Sequence, residues 1–305
     1  MIYTLTTNPA IDLNIICETI KPSLVNRTKG TKYFPNGKGV NVSLVLKHYG
    51  VNSTALGFFG GFSGKYIVDE LKMLGLKVKP TWIEEPTRIN IFVNDGVNEY
   101  KFVNKGSLVS KEKQKEFLSL AKSLCDCRYL IISGSLPSGI DVSYYDKILQ
   151  VCQEKGIEVI LDISSQQLKN LLKYRPLLIK PNDEEIKEIF GIEMKTESDI
   201  KRTLNDLHNM GAQNILLTLG DKGLYFYDGD KLYFCNAPKV KLLSSACAGD
   251  SALGAFLSEW LFSKEIETAL KKSSATGANV AESEGLGLLD KVDEYIKELN
   301  IREVF

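Results

Sequence analysis

The sequence has very little histidine and no excess of charge of either sign. Only His48 and His208 occur among its 305 residues, and both lie in helical patterns next to charged residues. Neither has a neighbour typical of a metal site or a catalytic triad, which argues against histidine-based catalysis and a histidine-ligated metal. Lys plus Arg and Asp plus Glu both total 38, so no overall field attracts nucleic acid or an anionic membrane. We therefore expect neither as a partner.

Long apolar runs, a leader segment and metal-type cysteine spacing are also missing. No run approaches the roughly 20 apolar residues of a membrane helix. Met1–Thr6 lacks the basic start and the small-residue cleavage site of a signal peptide. Among six cysteines, Cys125 and Cys127 are one residue short of a CxxC redox or zinc spacing. Free thiols in a cytoplasmic protein are the expectation.

Two common nucleotide-binding signatures are absent as well. The segment Gly60–Lys65 is a near match to the GxxxxGK[ST] phosphate loop but fails, because Phe59 precedes it and Tyr66 follows it. No GxGxxG follows a predicted strand. The sequence thus excludes a Walker A loop and gives no sign of a dinucleotide fingerprint.

What is present is an alternation of short β-branched runs with helical patterns. The predicted strands are Ile2–Thr6, Ser53–Gly57, Tyr129–Ser133, Glu158–Ile163, Leu177–Lys180 and Asn214–Leu219. The predicted helices are Gly39–Tyr49, Gly64–Leu74, Lys111–Leu124, Tyr144–Glu154, Glu184–Phe190, Glu197–Met210, Asp250–Phe262 and Ile266–Glu282. This order predicts an α/β fold, a doubly wound and mostly parallel sheet flanked by helices, with ligands beyond the carboxyl ends of the strands.

Two segments, at about residues 12–36 and 86–104, interrupt the alternation. The first holds extended runs without a helix between them, and the second holds two extended runs joined by the turn Asn94–Gly96. Such pieces would break the order of a parallel sheet. We therefore predict one α/β domain over residues 1–305 whose insertions form a small β-sheet lid over the ligand edge.

The segment Ala246–Ala252 places small residues and Asp250 just before an apolar helix pattern. Small residues allow amide N–H groups to converge at a helix start, where the helix dipole favours an anion. A carboxylate beside an anion site is what phosphoryl transfer to an alcohol requires. When this segment is taken alone, an ordinary turn with Asp in the first helical turn is the more common explanation.

Four further features allow two readings each. Pro35–Val42 can bring backbone, Lys38 and Asn41 close to a sugar, or it can be a glycine-rich turn. Lys180–Glu185 follows a buried strand, where Glu185 can hold the water shell of Mg²⁺ and Asn182 stands on the same side; the same pair can form a capping box. Thr218–Gly223 can lie beside the ribose or phosphate of a nucleotide, or it can form a hairpin turn. Arg27 and Arg88 on the predicted lid strands can clamp a phosphate, or they can be solvated edge charges.

Together and in order, these segments resemble the ribokinase-like carbohydrate kinases of the PfkB group. The ordered set is NPAxD, NGKGxN, GFFGGFSG, TRIN, SGSLPSG, KPNxxE, TLGxxG and AGDS, from Thr6 to about Gly287. The resemblance is strongest to the phosphosugar branch, which includes 1-phosphofructokinase, tagatose-6-phosphate kinase and the minor 6-phosphofructokinase. The TRIN segment, Thr87–Asn90, favours 1-phosphofructokinase.

The resemblance implies a role for each matching position. Asp250 would be the catalytic base, and the backbone of Cys247, Ala248, Gly249 and Asp250 the anion hole. The substrate-binding positions would be Asp12, Arg27, Gly37, Lys38, Asn41, Arg88, Asn90 and Ser135, with Arg27, Arg88 and Lys38 gripping the sugar's own phosphate. The Mg-ATP positions would be Lys180, Asn182, Glu185, Thr218, Gly220, Gly223, Gly277 and Ser283, with Mg²⁺ held by Asn182 and, through water, by Glu185. A homodimer through the lid is also implied.

Three departures from the family pattern concern the site directly. Asn36 replaces the first glycine before Lys38, and asparagine tolerates left-handed backbone. Cys247 replaces the first glycine of GAGD; a positive φ there costs on the order of 1 kcal/mol, and a thiol at a helix N-terminus can have a lowered pKa. Lys101 and Val103 replace an expected Glu and Asn in the lid, which bears on substrate identity.

The sequence therefore predicts an enzyme that uses ATP and Mg²⁺ to phosphorylate a ketohexose monophosphate. Conversion of fructose 1-phosphate to fructose 1,6-bisphosphate is favoured by the resemblance. A tagatose-6-phosphate kinase or a 6-phosphofructokinase stays open as an alternative. A sugar-phosphate sensor that has lost turnover is a third hypothesis, suggested by Cys247, Lys101 and Val103.

Overall fold

The computed structural model describes residues 1–304, and its elements alternate as the sequence predicts. The strands are β1 (Ile2–Thr6), β2 (Ala10–Cys17), β3 (Thr28–Asn36), β4 (Ser53–Gly60), β5 (Lys77–Ile83), β6 (Arg88–Asn94), β7 (Glu99–Phe102), β8 (Tyr129–Ser133), β9 (Glu158–Asp162), β10 (Leu178–Ile179), β11 (Ile215–Thr218), β12 (Leu224–Tyr227), β13 (Leu232–Cys235) and β14 (Ile301–Val304). The helices are α1 (Lys38–His48), α2 (Gly61–Met73), α3 (Lys111–Ser123), α4 (Tyr144–Lys155), α5 (Gln167–Leu171), α6 (Asp183–Phe190), α7 (Glu197–Asn209), α8 (Ala248–Trp260), α9 (Ile266–Ala281) and α10 (Val292–Glu298).

Ten strands form one large sheet in the order β14-β13-β12-β11-β10-β9-β8-β1-β4-β5. The pairs from β11 to β5 are parallel, whereas β12, β13 and β14 add an antiparallel edge. β1 and β8 are buried along their whole length, as expected of parallel strands covered on both faces. The predicted α/β fold is confirmed. The sequence prediction missed β5 and the antiparallel edge.

Helices cover both faces of this sheet and enclose separate apolar cores. One core lies under α3, α4, α6 and α7 and includes Phe117 and Tyr144. Another lies under α1, α8, α9 and α10 and includes Phe256 and Trp260. α2 and α1 enclose a third core against β4. No helix within residues 1–304 has the length and apolarity that crossing a membrane requires.

A second, four-stranded sheet has the order β3-β2-β6-β7, which confirms the predicted small sheet; we call it the lid. The Asn94–Gly96 turn joins β6 to β7, and the Asp95 carboxylate accepts the amides of Val97 and Asn98 there. Arg27 is not on a lid strand as predicted, because β3 begins one residue later at Thr28. The lid register places Asp12 of β2 opposite Asn90 of β6 and Phe34 of β3.

Candidate active site

A cavity of about 510 Å³ lies between the carboxyl ends of the large sheet's parallel strands and the lid. The sheet register aligns Thr6 of β1 with Ser133 of β8, and Ser133 with Asp162 of β9, so three strands end side by side at this cavity. We call the cavity the cleft. It gathers most of the predicted site residues, namely Asp12, Gly37, Lys38, Arg88, Asn90, Ser135, Lys180, Asn182, Glu185, Thr218, Cys247, Gly249 and Asp250.

The start of α8 forms one wall of the cleft. Cys247 is the N-cap residue and has left-handed backbone with φ 64°. Within residues 1–304 the amides of Gly249 and Asp250 donate to no acceptor, as expected of the first turn of a helix. A side chain at Gly249 would lie 3.4 Å from Nζ of Lys180, so the glycine leaves this amine close to the helix start. The wall therefore presents free amides and a cation to an anion.

Asp250 is buried beside these amides. Its Oδ2 accepts a hydrogen bond of 2.9 Å from Nδ2 of Asn41 on α1. Burial and the negative charge of Asp162 raise the pKa of Asp250 to about 6, while Lys38, Asn41 and Lys180 oppose this rise. A carboxylate with this pKa can take a proton near neutral pH.

Asp162 at the end of β9 is a charged site residue that the sequence reasoning missed. It is fully buried, and its Oδ1 lies 3.1 Å from Nζ of Lys180 and 3.6 Å from Nζ of Lys38. Burial alone would raise its pKa, but the charges of Lys180 and Lys38 lower it overall. The signal was available, because an Asp closes the apolar strand Glu158–Asp162 at the carboxyl edge where ligands bind.

Lys38 turns toward Asp162 and not toward the lid. Its Nζ lies 3.0 Å from Oγ of Ser164 and 3.8 Å from Oε1 of Glu185. The charge of Asp162 raises the pKa of Lys38 despite its burial. The structure thus does not support the predicted grip of Lys38 on the sugar's own phosphate, since its ammonium is drawn to the carboxylates near the start of α6.

Asn182 and Glu185 form the capping box of α6. The Glu185 amide donates to Oδ1 of Asn182 over 2.7 Å, and the Asn182 amide donates to Oε2 of Glu185 over 3.0 Å. The helix cap therefore uses one lone pair of the Asn182 oxygen. The other Glu185 oxygen, Oε1, accepts from Ser164 on the cleft side. The capping-box reading of this segment is therefore confirmed, and Glu185 keeps one oxygen on the cleft side.

The lid side of the cleft carries Asp12, Asn90 and Arg88. Asp12 is buried, and its Oδ1 accepts a 2.9 Å hydrogen bond from Nδ2 of Asn90. Burial raises the pKa of Asp12, against hydrogen bonds from Asn90 and Asn36. Arg88 donates to the carbonyls of Asn104 and Asn8, while its buried Nε has no partner among residues 1–304. Ser135 also lines the cleft, and its Oγ accepts a 3.2 Å hydrogen bond from Nδ2 of Asn8.

The family departure Asn36 is not in a left-handed conformation. The unusual backbone falls on Gly37, with φ 142°, where an added Cβ would lie 2.4 Å from Cγ2 of Thr6. Asn36 instead ends β3 and directs its side chain into the site. The sequence prediction that the turn tolerates asparagine is therefore right, but for a different reason.

The thiol of Cys247 is not activated as the sequence suggested. Burial and the carboxylates of Asp250 and Asp12 raise its pKa. The backbone at Cys247 has a positive φ, which is the case in which its replacement of a glycine carries a conformational cost.

Several predicted positions lie outside the cleft. Arg27 is exposed in the loop before β3. Gly220 and Gly223 belong to the turn that joins antiparallel β11 and β12, which is the hairpin alternative. Gly277 packs on α8, since an added Cβ would lie 3.4 Å from Cβ of Ala252. Ser283 lines a neighbouring cavity of about 600 Å³, which Asn41 also lines, and donates to the carbonyl of Asn279.

Comparison with known proteins agrees with this geometry. Residues 5–291 match the model of the pfkB family carbohydrate kinases. The chain is 50% identical to a D-tagatose-1-phosphate kinase of Klebsiella oxytoca, with 99% of each chain covered, and 33% identical to a 1-phosphofructokinase of Bacillus subtilis, again with 99% of each covered.

A solved structure shares the fold. The phosphofructokinase-2 of Escherichia coli, crystallised in complex with substrates and products, superposes with a TM-score of 0.91 at 26% identity, over 97% of this chain and 98% of that one. The family match spans nearly the whole chain, and the two relatives named above align with it over 99% of their length. The resemblance found in the sequence is thus confirmed: the chain belongs to the pfkB family of carbohydrate kinases and is a sugar kinase.

Proposed function

We propose that the chain transfers the γ-phosphoryl group of ATP to the free primary hydroxyl of a ketohexose 1-phosphate. Asp250 takes the proton of that hydroxyl, and the hydroxyl oxygen bonds to the γ-phosphorus. The bond from this phosphorus to the β–γ bridging oxygen breaks and releases ADP. The amides of Gly249 and Asp250 stabilise charge on the transferred group. The observation that carries this proposal is the buried Asp250 beside the free amides at the start of α8.

Two cations are well placed to assist. Lys180 and Lys38 neighbour the same buried carboxylate, Asp162, and face the cleft beside Asp250. Their charges can attract the phosphates of ATP, and the carboxylate keeps the two ammonium groups close together without a ligand. The predicted ATP role of Lys180 is therefore retained, and Lys38 is reassigned from the sugar phosphate to the transferred group.

The residues present fit a magnesium ion bound mainly through water. No group of three His, Cys, Asp or Glu residues within residues 1–304 could hold a metal by itself. Oε1 of Glu185 faces the cleft, and the buried carboxylate of Asp162 has no partner besides the ammonium groups of Lys180 and Lys38. Mg²⁺ keeps most of its waters and uses few protein carboxylates. When bound with ATP it would neutralise phosphate charge, with Glu185 as its outer contact.

The substrate favoured by the relatives is D-tagatose 1-phosphate, with tagatose 1,6-bisphosphate as product. Identity to the Klebsiella oxytoca D-tagatose-1-phosphate kinase is 50%, against 33% to the Bacillus subtilis 1-phosphofructokinase. Fructose 1-phosphate, which the sequence motifs favour, becomes the second candidate. The two sugars differ only in the configuration at one carbon, so the same Arg88 and Asp12 can serve both.

A panel of acceptors tests the substrate. ADP formation is measured with ATP, Mg²⁺ and each of D-tagatose 1-phosphate, fructose 1-phosphate, tagatose 6-phosphate and fructose 6-phosphate, and kcat/KM values are compared. We expect the highest value with D-tagatose 1-phosphate. A higher value with either 6-phosphate would contradict the proposed acceptor. Ligand-dependent shifts in Tm without any ADP formation would favour the sensor hypothesis.

We also propose that two chains pair through their lids. Apolar side chains on the lid are exposed, including Tyr33 at 52% and Phe102 at 55%, and exposed aromatic patches often mark protein interfaces. Sedimentation velocity of the chain and of Phe102→Asp tests this. The chain should sediment as a dimer and the variant should dissociate; a monomeric chain at micromolar concentration contradicts the proposal.

A further inference from the structure

Asn36 occupies the junction between the lid and α1. It is the last residue of β3, and Gly37 after it is the N-cap residue of α1. Its side-chain oxygen accepts the Gly37 amide and, over 2.8 Å, Nδ2 of Asn41. Its side-chain nitrogen donates to Oδ2 of Asp12. One side chain thus contacts the lid carboxylate and the helix that bears Asn41.

These partners leave one orientation for the Asn36 amide. A backbone N–H can only donate, so the Gly37 amide requires the oxygen of Asn36 on its side. The nitrogen of Asn36 then faces Oδ2 of Asp12, which accepts from it. Asn41 must then present its NH₂ group to the oxygen of Asn36, because the reverse would place two acceptors face to face. Asn36 therefore fixes the orientation of Asn41.

The second hydrogen of the Asn41 NH₂ group reaches the catalytic base. Nδ2 of Asn41 lies 2.9 Å from Oδ2 of Asp250, and both residues are buried. On the lid side, Oδ1 of Asp12 accepts from Nδ2 of Asn90 in the neighbouring strand β6. A continuous chain of hydrogen bonds thus runs from the lid to the base, in the order Asn90, Asp12, Asn36, Asn41, Asp250.

We propose that Asn36 is a positioning residue, which holds Asn41 against Asp250 and ties both to the lid carboxylate Asp12. The proposal rests on the proposed function, since it assigns the base to Asp250. The backbone does not require asparagine at this position, because the strained conformation falls on Gly37. A glycine at position 36 would carry no atoms to make this link.

A double-mutant cycle tests the link. Asn36→Ala should lower kcat about tenfold, the size expected for one lost hydrogen bond in a chain that ends on a charged group. Asn41→Ala should lower kcat at least as much, and the double variant should have the kcat of Asn41→Ala alone. Asn36→Ala should raise the KM for the sugar phosphate in the wild-type chain and in the Asn41→Ala variant alike, because Asn36 contacts Asp12 directly. Asn170→Ala, an exposed position on α5, should combine additively with Asn36→Ala.

Two results would overturn the proposal. One is an Asn36→Ala variant with the wild-type kcat. The other is that Asn36→Ala lowers kcat by the same factor in the wild-type chain and in the Asn41→Ala variant, which indicates a merely structural effect. A wild-type chain that phosphorylates no ketohexose phosphate contradicts the proposed function instead. The link is then decided by NMR of the side-chain NH₂ signals of ¹⁵N-labelled protein. The Asn41 signal, identified by its loss in Asn41→Ala, should shift in Asn36→Ala; an unmoved signal overturns the link.

Discussion

Nζ of Lys180 lies 3.1 Å from Oδ1 of Asp162, and both side chains are almost completely inaccessible to solvent. The carboxylate receives no hydrogen bond from any other group in residues 1–304. Its ionisation therefore depends on Lys180 and on Lys38, which lies 3.6 Å away. This cluster prepares the cleft for phosphates and is also a structural liability, because removing one buried charge leaves the other unpaired.

Asp162→Asn is predicted to lower the free energy of unfolding by about 3 kcal/mol, the range found when one partner of a buried ion pair is removed. Urea denaturation at pH 7 measures the change. Because the folded-state pKa of Asp162 is lowered, its contribution is present above the ordinary Asp pKa of about 3.9 and is lost as the pH falls through the folded-state value.

The matched control is Glu18→Gln. Glu18 pairs with Lys29 on the surface, with both side chains exposed, and exposed pairs contribute little. We expect the unfolding curve of this variant to coincide with that of the wild type. Equal stability of Asp162→Asn and Glu18→Gln would contradict the assigned importance of the buried cluster.

Asp250→Asn is predicted to lower kcat by at least about 100-fold, the scale of a lost general base. The amide keeps the size of the side chain, so binding of ATP should persist. Single-turnover product formation and isothermal titration with a non-hydrolysable ATP analogue measure the two quantities. Turnover within a few-fold of the wild type would remove Asp250 from its proposed role.

The pH dependence follows from burial of the same residue. The base must be unprotonated, and its pKa is raised to about 6, so kcat/KM should be constant above this pH and fall as the pH drops through it. The phosphate of the sugar also titrates near pH 6, so a variant is needed to distinguish its ionisation from that of Asp250. Asn41→Ala removes a donor that lowers the pKa of Asp250 and should move the fall to higher pH; an unmoved profile assigns it to the substrate.

Sequence reasoning located the large sheet and the lid because their signals are local. The apolar runs at Tyr129–Ser133 and Glu158–Asp162 and the turn at Asn94–Gly96 predict their own conformation. The antiparallel edge strands Leu224–Tyr227 and Ile301–Val304 were missed, because short runs of four residues resemble loop segments. Pairing across distant segments stabilises them, and this is not visible locally.

The sequence predicted which residues belong to the site better than it predicted which partners they contact. The positions of Asp250, Arg88 and Glu185 in the cleft follow from strand ends and motif order. Strand ends and motif order do not reveal which partner a long side chain selects. Lys38 was therefore assigned to the sugar phosphate, although Asp162 attracts it. The pKa of the Cys247 thiol was mispredicted for the same reason. The helix N-terminus alone predicts a lowered pKa, whereas burial and two carboxylates raise it.

Arg88→Met is predicted to raise the KM for the sugar phosphate about 10- to 100-fold, the effect of losing a charge-assisted hydrogen bond. The KM for ATP should stay unchanged, because Arg88 lies on the lid side of the cleft. Steady-state kinetics with both substrates varied measures this. Arg88→Lys retains the charge and should recover part of the loss. An equal rise in both KM values would indicate a general distortion of the cleft.

Arg27→Met is the comparison for Arg88→Met. Arg27 is exposed and outside the cleft of its own chain, so we expect the KM for the sugar phosphate to remain within about threefold of the wild type, as for other surface charges. The sequence prediction that Arg27 holds the phosphate requires a much larger rise. Such a rise, if it disappears on dilution to the monomer, would mean that Arg27 reaches the cleft of a second copy.

Cys247 should resist alkylation although it lines the cleft. Its raised pKa keeps the thiol protonated at pH 7.5, and only the thiolate is a good nucleophile. Cys125 is exposed and should react first with iodoacetamide, as peptide mass spectrometry of timed samples would show. Cys125→Ser serves as the control, since it should remove the fast reaction. If instead the Cys247 peptide is modified first and activity is lost in parallel, the helix N-terminus outweighs burial and the carboxylates of Asp250 and Asp12.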